Sequence, residues 1–260
     1  MKSIRPLLTI CCALLLLSSC GGRQLTIVSY NVGAFHKPGF NTIGSCANTL
    51  ASFRPDVIAL QEVDSCTHRC GQQDQLRAFT DSMQFGGCHY TPAFPFDGGG
   101  YGIGLTWKKA TQPKAVHSIL LPKMDGSEVR ALSVVDFGRY VVASTHLDHI
   151  SEAARLAQVD SITRWTKAHY GDTDIPVILC GDFNDTPDSP TLTAVKESWQ
   201  RLSPIVHTYS ADEPSATIDY IFIYKNGAES RVHATTKPYE IDHPENISDH
   251  LPLIVQIDIR

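Results

Sequence analysis

Asp182 and Asn184 stand two apart in CGDFNDTPDS, residues 180–189, directly after the apolar run Pro176–Leu179. Residues two apart on an extended chain share a face, so this pair could hold a metal ion, a water or a phosphate together. A polar turn is the simpler use of such a stretch, because Asp and Asn bond their own backbone. Partners elsewhere in the chain decide between the two. Asn31 closes the run Gln24–Tyr30, Glu62 follows Val57–Leu60, and His146 ends the run from Tyr140. Asp219 stands at the start of Ile218–Tyr224, while Asp249 and His250 come just before Leu251–Ile257. Each alone has a structural use as a cap, an ion-pair partner or a core imidazole. Polar tips on six otherwise apolar strands point to one site.

That set suits cleavage of a phosphate ester. Phosphate repels an attacking water, so the site needs positive charge at the phosphate oxygens and a base for the water. Glu62 and Asn31 offer hard oxygen donors. Carboxylates scattered singly, not packed into a cage, fit Mg²⁺ better than Ca²⁺, with Mn²⁺ as a substitute. His146 and His250 can donate to phosphate oxygens, and nearby acids are expected to raise their pKa values and fix their tautomers. No Ser or Cys occupies a recognisable nucleophile setting, so direct attack by water is the expected chemistry.

Strands must carry most of these residues. They are expected at Gln24–Tyr30, which alternates apolar and polar, and at Val57–Leu60, Gly102–Trp107, Ala115–Leu121 and Val129–Val135. Tyr140–Thr145, Val177–Leu179, Ile218–Tyr224 and Leu251–Ile257 complete the set, and Gly98-Gly99-Gly100 reads as a turn. Helical spacing marks Asn41–Phe53, which stops before Arg54-Pro55, then Gln72–Met83, and Ser151–His169 with Ser151 as its cap. Asp185, Pro187 and Asp188 read as a turn and cap leading into the segment after Ser189, and Glu197–Pro214 has no clear period. Strands outnumber helices and short turns join several of them, which implies mainly antiparallel pairing in two sheet layers with helices outside.

The chain of 260 residues is 42% hydrophobic, enough for a full core, and no repeat, low-complexity tract or linker divides it. Its start differs. Lys2 and Arg5 precede the charge-free run Leu7–Leu17, which is too short for a comfortable span and closes in Leu17-Ser18-Ser19-Cys20. Residues 1–20 therefore resemble a bacterial lipoprotein signal with Cys20 as the lipidated residue, leaving 21–260 as one exported, membrane-anchored domain. An ordinary secretory signal is the competing reading. Losing Lys2 and Arg5 from 22 basic residues leaves 20 against 27 acids, a net charge of −7. With no basic run, that balance does not favour a general nucleic-acid surface. Of eight cysteines, Cys46, Cys66, Cys70 and Cys88 could form two disulfides after export, with Cys180 a buried free thiol. Zinc at Cys66 and Cys70, with His68 between, is the alternative.

Seven segments carry a family resemblance: SYN at 29–31, LQEV at 60–63, GYGIGL at 100–105, THLDH at 145–149, GDFND at 181–185, IDYIF at 218–222 and SDHLPL at 248–253. In this order they resemble the endonuclease/exonuclease/phosphatase family, which includes deoxyribonuclease I, exonuclease III, inositol polyphosphate 5-phosphatases and neutral sphingomyelinases. The resemblance implies a four-layer α/β sandwich, two sheets face to face with helices outside and the site at one edge. It implies Glu62 as principal metal ligand with Asn31 assisting, and Asp249 beside the metal or supporting His250. Asp182 would orient or deprotonate the water, Asn184 would hold the phosphate, and Asp219 would pair with His250. His250 would contact the phosphate or move a proton, with His146 as second imidazole. Tyr101 matches a tyrosine that some members aim at the phosphate. Arg130 resembles an arginine that many bacterial members carry near the site, where it could contact substrate, with a solvated charge on a strand as the alternative. Arg155 matches one that faces the sheet structurally. A phosphodiester or phospholipid head group is the favoured substrate, nucleic acid the alternative, and a monomer the expected state. An inactive binding module is the remaining reading.

Overall fold

A computed structural model describes residues 22–37, 40–236 and 247–260. Cys20 and the leader lie outside the described residues. In chain order the strands begin with β1 (Arg23–Asn31), β2 (His36–Lys37), β3 (Phe40–Asn41), β4 (Val57–Ser65), β5 (Gly87–Phe96) and β6 (Gly99–Trp107). They continue with β7 (Ala115–Leu120), β8 (Ala131–Asp136), β9 (Val141–His146) and β10 (Val177–Asp182). The last are β11 (Trp199–Arg201), β12 (Asp219–Tyr224), β13 (Val232–Thr235) and β14 (Leu253–Ile259). The helices are α1 (Ile43–Ala51), α2 (Gln75–Ser82), α3 (Glu152–Tyr170) and α4 (Pro190–Ser198).

Two six-stranded sheets form, in the orders β13-β14-β1-β4-β6-β5 and β11-β12-β10-β9-β8-β7. Pairing is antiparallel except for β1 with β4 and β9 with β10. Leu25, Ile27 and Val255 of one sheet meet Val142, Ile178 and Ile221 of the other in a shared core. The outer face of the first sheet packs Val28, Ile58 and Leu60 against Ile43, Leu50 and Phe79 of α1 and α2. The outer face of the second packs Val141, Leu179 and Phe222 against Val159, Ile162 and Leu192 of α3 and α4. The chain is an α/β sandwich of four layers.

Double coverage explains one difference from the sequence reading. β1 alternates in residue type, yet Thr26 and Ser29 are buried along with Ile27, since both faces are covered. β5 was not legible because Pro92 and Pro95 break its pattern, and an edge position tolerates them. α4 follows the expected turn, but its cap is Ser189 and not one of Asp185, Pro187 or Asp188: Ser189 Oγ accepts the Leu192 N–H. Of the expected glycine turn only Gly98 bends, at φ 80°, and Gly99 and Gly100 belong to β6.

The cysteines require a correction. All five in the described residues are free thiols, so the two expected disulfides do not form. Cys46 is sealed on the inner face of α1, where burial pushes its thiol up to about 12. Cys70 turns its Sγ toward the carbonyls of Thr67 and Gln73. His68 faces Asp97 at 3.5 Å, and no zinc set forms with Cys66 and Cys70 among the described residues. Cys180 is buried and free as expected.

Candidate active site

The strand ends at one edge of the sandwich converge as their registers require. Asp182 pairs with Asp219 on one side and His146 on the other, at the ends of β10, β12 and β9. Asn31 ends β1 beside Gln61 of β4. The β4 ladder slips between Leu60 and Val63, and this bulge holds Glu62 at φ 56°, a conformation uncommon outside glycine. Asn184 also adopts the left-handed region, at φ 50°, which Asn tolerates better than most residues. Gly181 is needed at its position: a Cβ there would run into the Thr145 carbonyl and push β10 off β9.

A cleft of about 430 Å³ opens here, lined by Glu62, Tyr101, Arg130, His146, Asp182, Asn184, Asp249 and His250 among others. Asn31 and Asp219 lie beneath it, both buried. All ten residues read from the sequence for this region therefore meet in one place. Four cleft residues had been given no role: Glu128, His149, Tyr209 and the apolar Ile218. His149 was visible within THLDH, whereas Glu128 and Tyr209 sit in loops with no recognisable spacing.

Asp182 is the hub. One carboxylate oxygen, Oδ1, accepts the Asn184 N–H at 2.8 Å. The other, Oδ2, accepts the Asn31 amide at 3.0 Å and lies 3.6 Å from Nε2 of both His146 and His250. Burial, followed by the charge of Asp219, pushes Asp182 up to about 7 against the pull of His250 and the two donors. That value suits a base working near neutrality. Asn31 also donates to Glu62 Oε1 at 3.0 Å, while its own oxygen accepts the Gly33 N–H at 3.1 Å. Asn31 thus bridges the two carboxylates through its nitrogen.

The two imidazoles are set oppositely. Burial disfavours the His250 cation, but Asp219, accepting Nδ1–H at 2.9 Å, outweighs it with help from Asp182 and Asp249, and the pKa rises to about 10. Acids were expected to raise His146 too, and there the structure corrects the reading. Burial and then the charge of Arg130 hold His146 well below its ordinary value. Arg130, itself buried, donates to Nδ1 of His146 at 3.1 Å and to Nδ1 of His149 at 3.0 Å, and pairs with Glu128 at 3.1 Å. Because Nδ1 of His146 accepts, its proton sits on Nε2, facing Asp182. Burial and the nearby Glu62 push the Tyr101 phenol up, leaving it a donor.

A scan against known families matches residues 28–250 to the endonuclease/exonuclease/phosphatase family. The chain belongs to this family. Solved structures agree in fold. A family protein from Bacteroides thetaiotaomicron superposes with a TM-score of 0.74 at 17% identity, over 92% of this chain and 96% of that one. A mannosyl-6-phosphatase from the same species gives 0.69 at 19%, covering 90% and 99%. The human Nocturnin catalytic domain with bound sulfate gives 0.65 at 18%, covering 91% and 95%. No curated protein matches the chain. At such identities the likeness fixes the fold and leaves the substrate open.

Members of this family are hydrolytic phosphoesterases and nucleases that generally use a divalent metal, and the donor set here fits one. Glu62, Glu128, Asp182, Asp219 and Asp249 gather around two cationic groups, Arg130 and His250, and Asp219 keeps a buried oxygen, Oδ1, without a partner. Such an acid excess would repel a phosphate unless a hard cation were present. Asp182, Asp219 and His250 form a compact set of three ligand atoms. There, however, Nδ1 of His250 is spent on Asp219, so Glu62 and Asp249, which face the cleft, are the better-placed donors.

Proposed function

We propose that the protein is a Mg²⁺-dependent phosphoesterase, with Mn²⁺ able to substitute, that cleaves a phosphate ester by direct attack of water. The observation that carries this reading is Asp182: a buried carboxylate held up to about 7, aimed by Asn31 and the Asn184 N–H, with two imidazole Nε2 atoms 3.6 Å away. Asp182 orients the water and accepts its proton. His250 as imidazolium, His146 through Nε2–H and Arg130 beside it face the oxygens that gain charge in the transition state. Asn184 and Tyr101 add donors at the cleft wall. Among the described residues the lining includes no Ser, Thr or Cys, which favours water over a covalent intermediate. Glu62 and Asp249 would hold the cation with Asn31 fixing Glu62; when bound, it neutralises phosphate charge and lowers the barrier to attack.

A phosphodiester or a phospholipid head group is the substrate class we favour. The cleft is of small-ligand size, and among the described residues Arg130 is the one guanidinium lining it, which does not suit a duplex. Export and a lipid anchor on Cys20 are part of the same proposal; they rest on the leader alone, since the free thiols lend nothing to them. No helix among the described residues is long and apolar enough to cross a membrane. The site is complete within one chain, which supports a monomer.

The test is hydrolysis of bis(p-nitrophenyl) phosphate, p-nitrophenyl phosphate and DNA with Mg²⁺ or Mn²⁺. Activity should vanish with EDTA, with Asp182→Ala and with His250→Ala. Equal, negligible rates for wild type and both variants on every substrate would leave the fold as a binding module.

A further inference from the structure

A second pocket of about 340 Å³ lies at the opposite end of the sandwich, where four arginines meet: Arg23, Arg139, Arg231 and Arg260. Among the described residues Asp174 is the one acidic side chain lining it, and that carboxylate is taken up by Arg231 at 3.2 Å. Arg23 lies over the Tyr140 ring at 5.2 Å, which leaves its guanidinium edge free for an anion. Arg23, Arg139 and Arg260 are exposed. In a chain of net charge −5 this is a local reversal of sign.

Chain geometry fixes where this pocket can be. Arg23 follows Cys20 by three residues, which span at most about 11 Å in any conformation. A lipid on Cys20 therefore brings the arginines to the membrane surface, within reach of its charge. The same geometry fixes the cleft. β1 starts at Arg23, opposite Ile259, and ends at Asn31 under the site, a rise of about 26 Å. β9 and β10 run the same way, from Val141 and Val177 to His146 and Asp182.

We propose that the four-arginine end docks on anionic phospholipid head groups of the membrane that anchors the chain, and that the cleft consequently faces away from that membrane. The proposal rests on the Cys20 anchor given above and deepens the substrate reading. The phosphate ester arrives from the aqueous side, and lipids of the anchoring leaflet are out of reach. Guanidinium groups suit phosphate head groups through paired N–H donors. Each one near an anionic surface multiplies the docked population by about fivefold. Lipid and basic patch together make the two signals that stable anchoring needs.

The experiment uses the protein isolated from membranes in detergent and reconstituted into vesicles. Hydrogen–deuterium exchange is followed on phosphatidylcholine vesicles with and without phosphatidylglycerol. Segments 137–140, 174–176 and 229–231 should exchange at least roughly fivefold more slowly on the anionic vesicles, and loops 147–151 and 203–211 at the cleft should not change. Arg139→Glu with Arg260→Glu should remove the protection and leave hydrolysis of soluble diester intact. Equal exchange on both vesicles, or protection at the cleft loops, overturns the proposal. Protection by inorganic phosphate alone also overturns it, making the pocket a soluble-anion site. The mass of the N-terminal peptide reports the anchor separately. If Cys20 carries no lipid, co-sedimentation with the same vesicles decides: binding that the double variant abolishes keeps the docking surface, and no binding removes it. Exchange reads out whether or not the chain hydrolyses any ester, so failure of the phosphoesterase reading is seen independently.

Discussion

Asp148 ties together the two loops that carry Arg130's partners, and replacing it with Asn measures that tie. Its side chain is fully buried. One oxygen accepts the N–H groups of Ile150 at 2.9 Å and Ser151 at 2.8 Å. The other accepts Ser127 N–H at 2.8 Å and Ser127 Oγ–H at 3.1 Å, with Gly126 so close that a Cβ there would press on it. Burial works against the charge, but these bonds outweigh it and hold Asp148 at about 2. The gap from the ordinary 3.8 corresponds to about 2.5 kcal/mol in favour of the ionised form. Asn keeps the shape but turns an NH₂ group toward either the Ser127 pair or the Ile150–Ser151 pair, donor against donor. Asp148→Asn should therefore cost about 2–3 kcal/mol at pH 7 and lower Tm by roughly 4–10 °C.

The pH dependence separates this cause from simple loss of packing. A carboxylate depressed on folding contributes fully above its unfolded pKa, near 4, and loses that contribution as pH falls toward about 2. Urea midpoints of wild type and variant, read by tryptophan fluorescence, should differ most at pH 5–7, by about half as much near pH 3, and converge only as pH approaches about 2. Other carboxylates titrate alike in both proteins, so the difference isolates Asp148. A gap that stays constant from pH 7 to pH 3, or no gap at pH 7, would refute the reasoning.

Arg130→Lys should lower kcat by about a hundredfold, because an ammonium cannot bridge His146 and His149 as the guanidinium fork does; steady-state kinetics with circular dichroism as a folding control checks it. In Arg130→Ala the His146 ring should take up its proton nearer the ordinary histidine value, and NMR titration that leaves it as depressed as in wild type would assign the depression to burial alone. Glu62→Gln should raise the Mg²⁺ concentration for half-maximal activity by roughly ten- to a hundredfold, and an unchanged midpoint would move the metal elsewhere. Gly181→Ala should destabilise by about 1–3 kcal/mol, read as a Tm shift, since the new methyl meets the Thr145 backbone instead of a movable side chain.

Much of this was legible because it is local. Polar residues closing apolar runs marked Asn31, His146 and Asp182 as strand ends, and strands in two stacked sheets bring their ends to common edges. Glu62, read the same way, lies inside β4 at its bulge, and His250 stands just ahead of β14. Arg155 was legible as structural, and it ties Asp185 at 3.0 Å to the Asp148 carbonyl at 3.1 Å. Glu128 and Tyr209 were not legible, because loop residues enter a site by the path of the loop and no periodicity records that path. The disulfides failed for a related reason. Cysteine counts say nothing about which face a thiol takes, and Cys46 faces the core.

By itself, the sequence determined the fold class, the residue types at the strand ends and the chemistry those types can do. Only the tertiary structure decided how each is charged. Asp182 rises to about 7 through burial and through Asp219, thirty-seven residues away in sequence but paired with it across β10 and β12. His146 and His250 are the same residue type at similar strand ends, yet one is held neutral beside Arg130 and the other charged beside Asp219. A pKa reports the field from every neighbouring charge and the loss of water around the group, and both exist only once the sheets have closed on each other.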